Sequence, residues 1–146
     1  MNYFEKQMRI LFGESELFSE AMFSGKMMIG KIDQDVRVKL EFISTNIAKQ
    51  YNAMKVTVLN RTEGEIDKTV FTFRDILGPK NGYDPYIWEE PNCMGWYGFK
   101  PTGDEYDRIS DTINDYMSMF ADENLGYTAS SGKVQDHAAI YGVKLV

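Results

Sequence analysis

The sequence holds one histidine and one cysteine among 146 residues, and these two counts exclude several kinds of chemistry. Cys93 has no second cysteine with which to form a disulfide or to share a zinc ion. His137 is the only histidine that could act as the base of a Ser–His or Cys–His pair, and no nucleophile motif lies near it. We therefore predict no catalytic residues, no metal site and no cofactor.

Long apolar runs and phosphate-binding loops are missing as well. No apolar stretch approaches membrane-spanning length, and the first residues lack the basic start and apolar run of a signal peptide. Gly95, Gly98 and Gly103 have neither the spacing nor the strand-to-helix context of a phosphate or dinucleotide loop. The basic residues are scattered rather than striped, which disfavours direct nucleic-acid binding. We expect a cytoplasmic protein that contacts neither membrane nor nucleic acid.

What the sequence does have is enough apolar surface for one folded domain. Hydrophobic residues make up 43% of the chain and aromatic residues 14%, which is too much for a disordered segment. A chain of this length can bury about two-thirds of its unfolded surface. We predict a single α+β domain over residues 1–146, in which an antiparallel meander packs against a C-terminal amphipathic helix, with a short N-terminal helix.

The sheet is predicted from alternation of apolar and polar residues. Residues 36–42 alternate apolar with charged side chains, the pattern of a half-buried strand. Residues 54–58 repeat it, and residues 66–73 and an extended segment over 22–32 complete four consecutive strands with short polar connections. We therefore expect a four- to six-stranded antiparallel sheet within about residues 21–100.

Two helices and a tail complete the prediction. Apolar residues recur at helical spacing over about residues 3–12, and a glycine follows where a helix often ends. Thr102 and Glu105 match a capping box, which begins an amphipathic helix over about residues 102–122. The tail, residues 124–146, is expected to be either a last strand or a mobile end.

The net charge is concentrated in that second helix. Between residues 102 and 123 there are seven acids against one base, Arg108, while the remaining chain holds 15 of each, so this segment carries the whole net charge of −6. Five of the acids fall within an arc of about 80° opposite the apolar stripe, along a line about 27 Å long. We call this set the acidic ridge: Asp104, Asp107, Asp111, Asp115 and Asp122.

Two interpretations of the acidic ridge stay open. It can be a solvated face that keeps the protein soluble, or it can meet a basic, nucleic-acid-binding surface of another protein. The spacing favours the first, because five carboxylates along ~27 Å are several times sparser than duplex DNA, with a charge every ~1.7 Å of axis. Mimicry of DNA needs further acids beside the ridge, and the candidates are Asp33, Asp35, Glu89 and Glu90.

The second candidate surface is the aromatic segment, residues 79–101, which holds both tryptophans and all four prolines. Tyr86, Trp88 and Trp96 in this segment are the kind of side chain that anchors a partner protein. Aromatic rings also fill the open face of a sheet, and core packing is the favoured interpretation.

Residues 36–42, 54–64 and 74–78, with Trp96-Tyr97 and the acidic ridge, resemble a group of small acidic proteins carried on mobile genetic elements of Firmicutes. The resemblance covers about two-thirds of the chain and brings no catalytic residues with it. It implies an inhibitor of a host defence protein, as anti-CRISPR proteins are when they occupy the DNA-binding surface of an RNA-guided nuclease.

We therefore expect a non-enzymatic binding protein that occludes a basic host protein, most specifically an RNA-guided CRISPR nuclease, by steric and electrostatic contact. Its contacts would be the acidic ridge, Glu89, Glu90 and the aromatic segment. One alternative is a structural or accessory protein that forms homo-oligomers through a sheet edge or the aromatic segment. A further alternative is a small enzyme without a motif, recognisable by a pocket that gathers acids with perturbed pKa values.

Overall fold

The structure, a computed structural model, describes residues 2–79, 85–89, 98–121 and 144–145, the last pair by backbone alone. These ranges form three helices and a six-stranded sheet, so the α+β class is confirmed. None of the three described helices combines the length and apolar character that a membrane span requires. The elements are α1 (Tyr3–Phe12), β1 (Glu20–Ser24), β2 (Met27–Lys31), β3 (Val36–Ile43), β4 (Ala53–Asn60), β5 (Gly64–Thr72), α2 (Phe73–Leu77), α3 (Gly103–Ser118) and β6 (Lys144–Leu145).

The strands pair antiparallel in chain order, so the sheet is the predicted meander. The main sheet ends at Thr72 rather than near residue 100. Beyond it, the described residues add a bridge between Tyr51 and Trp88 and the short strand β6, which pairs with Thr69 and Val70 of β5. β6 matches the last-strand alternative for the tail, and the rest of the tail lies outside the described residues.

The segment predicted as one extended strand over residues 22–32 is a hairpin, so that prediction was wrong. Gly25 and Lys26 form its turn, and Ser24 pairs with Met27 across it. Gly25 has a φ of 59°, a left-handed value that glycine adopts without steric cost and that two-residue hairpins require. A turn of only two residues leaves the apolar pattern almost uninterrupted, and the pattern therefore did not predict the turn.

A short helix, α2, follows the fifth strand and begins at Phe73, the last residue of the strand predicted over residues 66–73. The Thr72 side chain accepts a hydrogen bond from the Asp75 backbone N–H at 3.1 Å and so caps the helix. Gly78, with a φ of 97°, ends it. This cap satisfies one of the backbone donors that a helix start leaves open.

The core lies between one face of the sheet and the helices α1 and α3. α1 contacts β1 and β2, while α3 lies against α1 and α2 and reaches β5 through Tyr116, whose ring lies 5.5 Å from that of Phe71. The alternation predicted for β3 is confirmed by its burial. The core-facing side chains of the two central strands are Val36, Val38, Leu40, Phe42, Met54, Val56 and Val58.

Candidate protein-binding surface

The start of α3 is set by the predicted capping box, and this prediction is confirmed. The Thr102 hydroxyl accepts a hydrogen bond from the Glu105 backbone N–H at 3.2 Å. The Glu105 carboxylate accepts one from the Thr102 backbone N–H at 2.9 Å. Two otherwise open backbone donors are therefore satisfied, and the helix runs from Gly103 to Ser118, a few residues shorter than predicted.

The rotation of α3 about its axis is fixed by burial and by hydrogen bonds to neighbouring helices. Ile109 and Ile113 are fully buried in the hydrophobic core. The Ser110 hydroxyl donates to the Leu11 carbonyl of α1 at 2.7 Å. On the other flank, Arg108 Nη2 donates to the Ile76 carbonyl of α2 at 3.1 Å. These contacts decide which side of the helix faces solvent.

The solvent side of α3 carries the described part of the acidic ridge: Asp104, Asp107, Asp111 and Asp115. All four are exposed, and none forms a salt bridge or side-chain hydrogen bond with a described residue. They extend along about 16 Å of helix. Within the described ranges no group of three His, Cys, Asp or Glu side chains could hold a metal ion, so the ridge is a line of separate charges.

Three of the predicted contact residues lie outside the described residues: Asp122 of the acidic ridge, Glu90 and Trp96. The structure therefore bears on the ridge only from Asp104 to Asp115.

Glu89 does not extend the acidic ridge. It lines a pocket of about 160 Å³ together with Tyr3, Gln7 and Tyr106. Tyr106 projects from the side of α3 that faces α1, since its hydroxyl donates to Gln7 Oε1 at 2.6 Å. Glu89 thus lies on a different side of the helix from Asp111.

Asp33 and Asp35 lie in the turn between β2 and β3 rather than on a helix. Asp35 borders a cleft shared with Arg37 and Arg61, so its nearest charged surroundings include two cations. Neither the β2–β3 turn nor Glu89 supplies the extra row of acids that mimicry of DNA would need.

The pocket beside Glu89 contains two phenols that stay protonated at neutral pH. Burial, followed by the proximity of Tyr106 and Glu89, raises the pKa of Tyr3 to about 12. Burial also raises the pKa of Tyr106, against the opposing effect of its hydrogen bond to Gln7. Phenols in this state donate hydrogen bonds and do not act as bases. Among the residues that the structure describes, this pocket gathers one carboxylate, that of Glu89.

Tyr86 and Trp88 belong to the core, which corrects their assignment as partner contacts. Trp88 is 0% exposed, and its ring lies 5.1 Å from Phe42 and 5.3 Å from Phe73. The Tyr86 hydroxyl donates to the Gly78 carbonyl at 2.8 Å. Large rings gain more from closing the open end of the sheet than from contact with water. The core-packing interpretation holds for these two residues.

Comparison of the chain with protein-family models, with curated proteins and with solved structures gives no match. The geometry and charge of the described surface are therefore the basis for assigning a function.

Proposed function

We propose that this protein is a non-enzymatic binding protein whose acidic ridge docks on a basic surface of a partner protein. The observation that carries the proposal is the line of four exposed carboxylates on α3, none of them paired with a described residue. Because the helix is held by α1, α2 and the sheet, these charges keep fixed spacings. A preorganised row of like charges steers a partner of opposite charge and fixes its orientation.

The partner we propose is a host defence protein that binds nucleic acid, most specifically an RNA-guided CRISPR nuclease. The resemblance to proteins of mobile elements supplies this identity, and the sign of the charge agrees with it, because surfaces that bind phosphates present lysine and arginine. The described aspartates stand roughly one per 5–6 Å of helix, against one charge per ~1.7 Å in duplex DNA. The mode we propose is therefore occlusion of the basic surface rather than imitation of a duplex.

The test reverses charge on the ridge in the variant Asp107→Lys/Asp111→Lys/Asp115→Lys. The matched control, Glu20→Lys/Asp35→Lys/Glu63→Lys, changes the net charge equally at exposed positions outside α3. Affinity for a purified RNA-guided nuclease is measured by biolayer interferometry at low and high salt. We expect the ridge variant to lose about tenfold or more in affinity and the control much less, with wild-type binding weakening as salt rises.

Equal losses in the two variants would show that only net charge matters and would remove the ridge from the interface. Absence of binding by the wild-type chain would overturn the proposed partner. A pull-down from host lysate at two salt concentrations then tests whether any other basic protein is retained through the ridge.

One observation favours self-association as a second candidate. Strand β1 pairs with β2 but with no other described strand, and Met22 on it is 65% exposed. An open edge of this kind can pair with another copy of the chain. Light scattering would show a stable oligomer that Met22→Lys dissociates, and a monomer at all concentrations would exclude this candidate.

A further inference from the structure

A cleft of about 440 Å³ lies where α1, the β1–β2 turn, the β3–β4 connection and Glu89 meet. Its walls include Phe4, Lys26, Lys49 and Tyr51, so it brings together residues that are far apart in the sequence. Sites for small ligands are concave, lie in this range of volume, and combine apolar walls with a few convergent polar groups. The cleft has that composition.

The charge of the cleft is opposite in sign to that of the whole protein. Lys26 and Lys49 line it, and neither forms a salt bridge with a described residue, although Glu89 lines the same cleft. Among the described residues that line the cleft, two ammonium groups therefore stand against one carboxylate, within a chain whose net charge is −6. This arrangement leaves room for an anion.

Lys26 is held in place by the aromatic wall. Its Nζ lies 5.3 Å from the ring centroid of Tyr51 and 5.7 Å from that of Phe4, distances at which a ring face attracts a cation. The two rings pack edge to face with centroids 5.0 Å apart. The ammonium group is thus positioned at the cleft before any ligand arrives.

Lys49 is held by the backbone of the β3–β4 connection. It has a φ of 69°, a left-handed value that few residues other than glycine adopt. The Asn52 side chain closes the connection by accepting from the Thr45 backbone N–H at 2.9 Å and donating to Thr45 Oγ1 at 2.7 Å. The Tyr51 carbonyl accepts from the Trp88 backbone N–H at 2.8 Å. These bonds fix the loop that carries the second cation.

We propose that this cleft binds a small phosphate monoester. The phosphate lies between Lys26 and Lys49, the organic part lies against Tyr51, and Glu89 accepts a hydrogen bond from a hydroxyl or amino group of the ligand. A phosphate monoester carries close to two negative charges at neutral pH and so matches two ammonium groups, whereas a carboxylate would leave one lysine unpaired. This site is independent of the acidic ridge.

The test is titration of the isotope-labelled protein, followed by NMR, with adenosine monophosphate, glucose 6-phosphate, inorganic phosphate and adenosine. We expect shifts at residues 26 and 48–51 with one or both esters, affinity for at least one ester above that for inorganic phosphate, and no binding of adenosine. Whichever of the two esters binds more tightly, adenosine monophosphate or glucose 6-phosphate, shows whether the ligand is a nucleotide or a sugar phosphate. The variant Lys26→Gln/Lys49→Gln should lose about tenfold or more in ester affinity.

The matched control is Lys6→Gln/Lys31→Gln, which removes two cations outside the cleft and should leave the affinity nearly unchanged. Lys49→Gln alone provides a variant that alters no strand or helix and should still weaken binding. Glu89→Gln should strengthen the binding of inorganic phosphate, because it removes a negative charge that repels the anion. The proposal is overturned if no phosphate shifts the cleft residues, if binding survives in the Lys26/Lys49 variant, or if inorganic phosphate binds as tightly as both esters.

Discussion

The two sides of α3 differ in burial and in charge. One side buries Ile109, Ile113 and Tyr116 completely, and the other exposes Asp107 and Asp111 without a described partner. Both sides belong to the same turns of one helix, so they share the same backbone geometry. The side chains that stabilise the fold are therefore separate from those of the proposed partner-binding surface, and single substitutions can test this separation.

The largest effect on stability is expected from the buried side. Ile113→Ala removes three carbons from a fully buried position and should lower the free energy of unfolding by about 2–5 kcal/mol, through lost burial and the cavity left behind. Urea denaturation followed by circular dichroism measures this. A loss below about 1 kcal/mol would mean that α3 is not the lid of the core that the structure describes.

A smaller effect is expected for Tyr116→Phe. The Tyr116 hydroxyl donates to the carboxylate of Asp67 on β5, and losing a hydrogen bond to a charged group costs about 1–3 kcal/mol. Tyr116→Phe should therefore be less damaging than Ile113→Ala, and the same urea experiment compares them.

Tyr116→Phe should also change how the stability of the protein depends on pH in alkaline solution. Burial, reinforced by the hydrogen bond to Asp67 and by its negative charge, raises the pKa of Tyr116 above the ordinary 10.0. A folded state that holds its proton more tightly than the unfolded chain keeps this stability below pH 10 and loses it as the pH rises further. Tyr116→Phe should reduce that loss but not abolish it, because the pKa of Tyr3 is also raised. Equal alkaline slopes in the two proteins would contradict this account.

The smallest effect on stability is expected on the exposed side. Asp111→Asn removes one unpaired surface charge and should change the free energy of unfolding by less than about 0.5 kcal/mol. The same change should measurably weaken binding to the proposed basic partner and reduce its salt dependence. A stability change as large as that of Tyr116→Phe would show that the aspartate supports the fold, and the separation of the two sides would fail.

The regular elements were predictable where a local pattern determines them. Alternation over residues 36–42 and the capping box at Thr102 and Glu105 are each written within a few positions of the sequence, and the structure confirms them. The Gly25 turn and α2 were missed because a hairpin turn of two residues and a helix of five residues hardly disturb the surrounding pattern. Thr72, which caps α2, and Asp75 in its first turn were the available signal.

The surfaces were less predictable because they depend on which elements meet. The exposure of Asp104 to Asp115 followed from helical periodicity alone, whereas the burial of Trp88 depends on its packing against Phe42 and Phe73, and the position of Glu89 on the pocket beside Tyr3. The cleft with Lys26 and Lys49 was not predicted at all. Its residues come together only after four strands have paired, and no residue spacing in the sequence predicts this proximity.

The meander order of the strands has a consequence for synthesis of the protein. Each strand from β2 to β5 pairs with its predecessor, so the sheet can assemble progressively while the ribosome is still translating, with little entropy lost in closing loops. α1 is available early to shield the β1 and β2 end. α3 emerges later, and until then Phe71 and its neighbours lack their cover, which makes this interval the one in which chaperones are most useful.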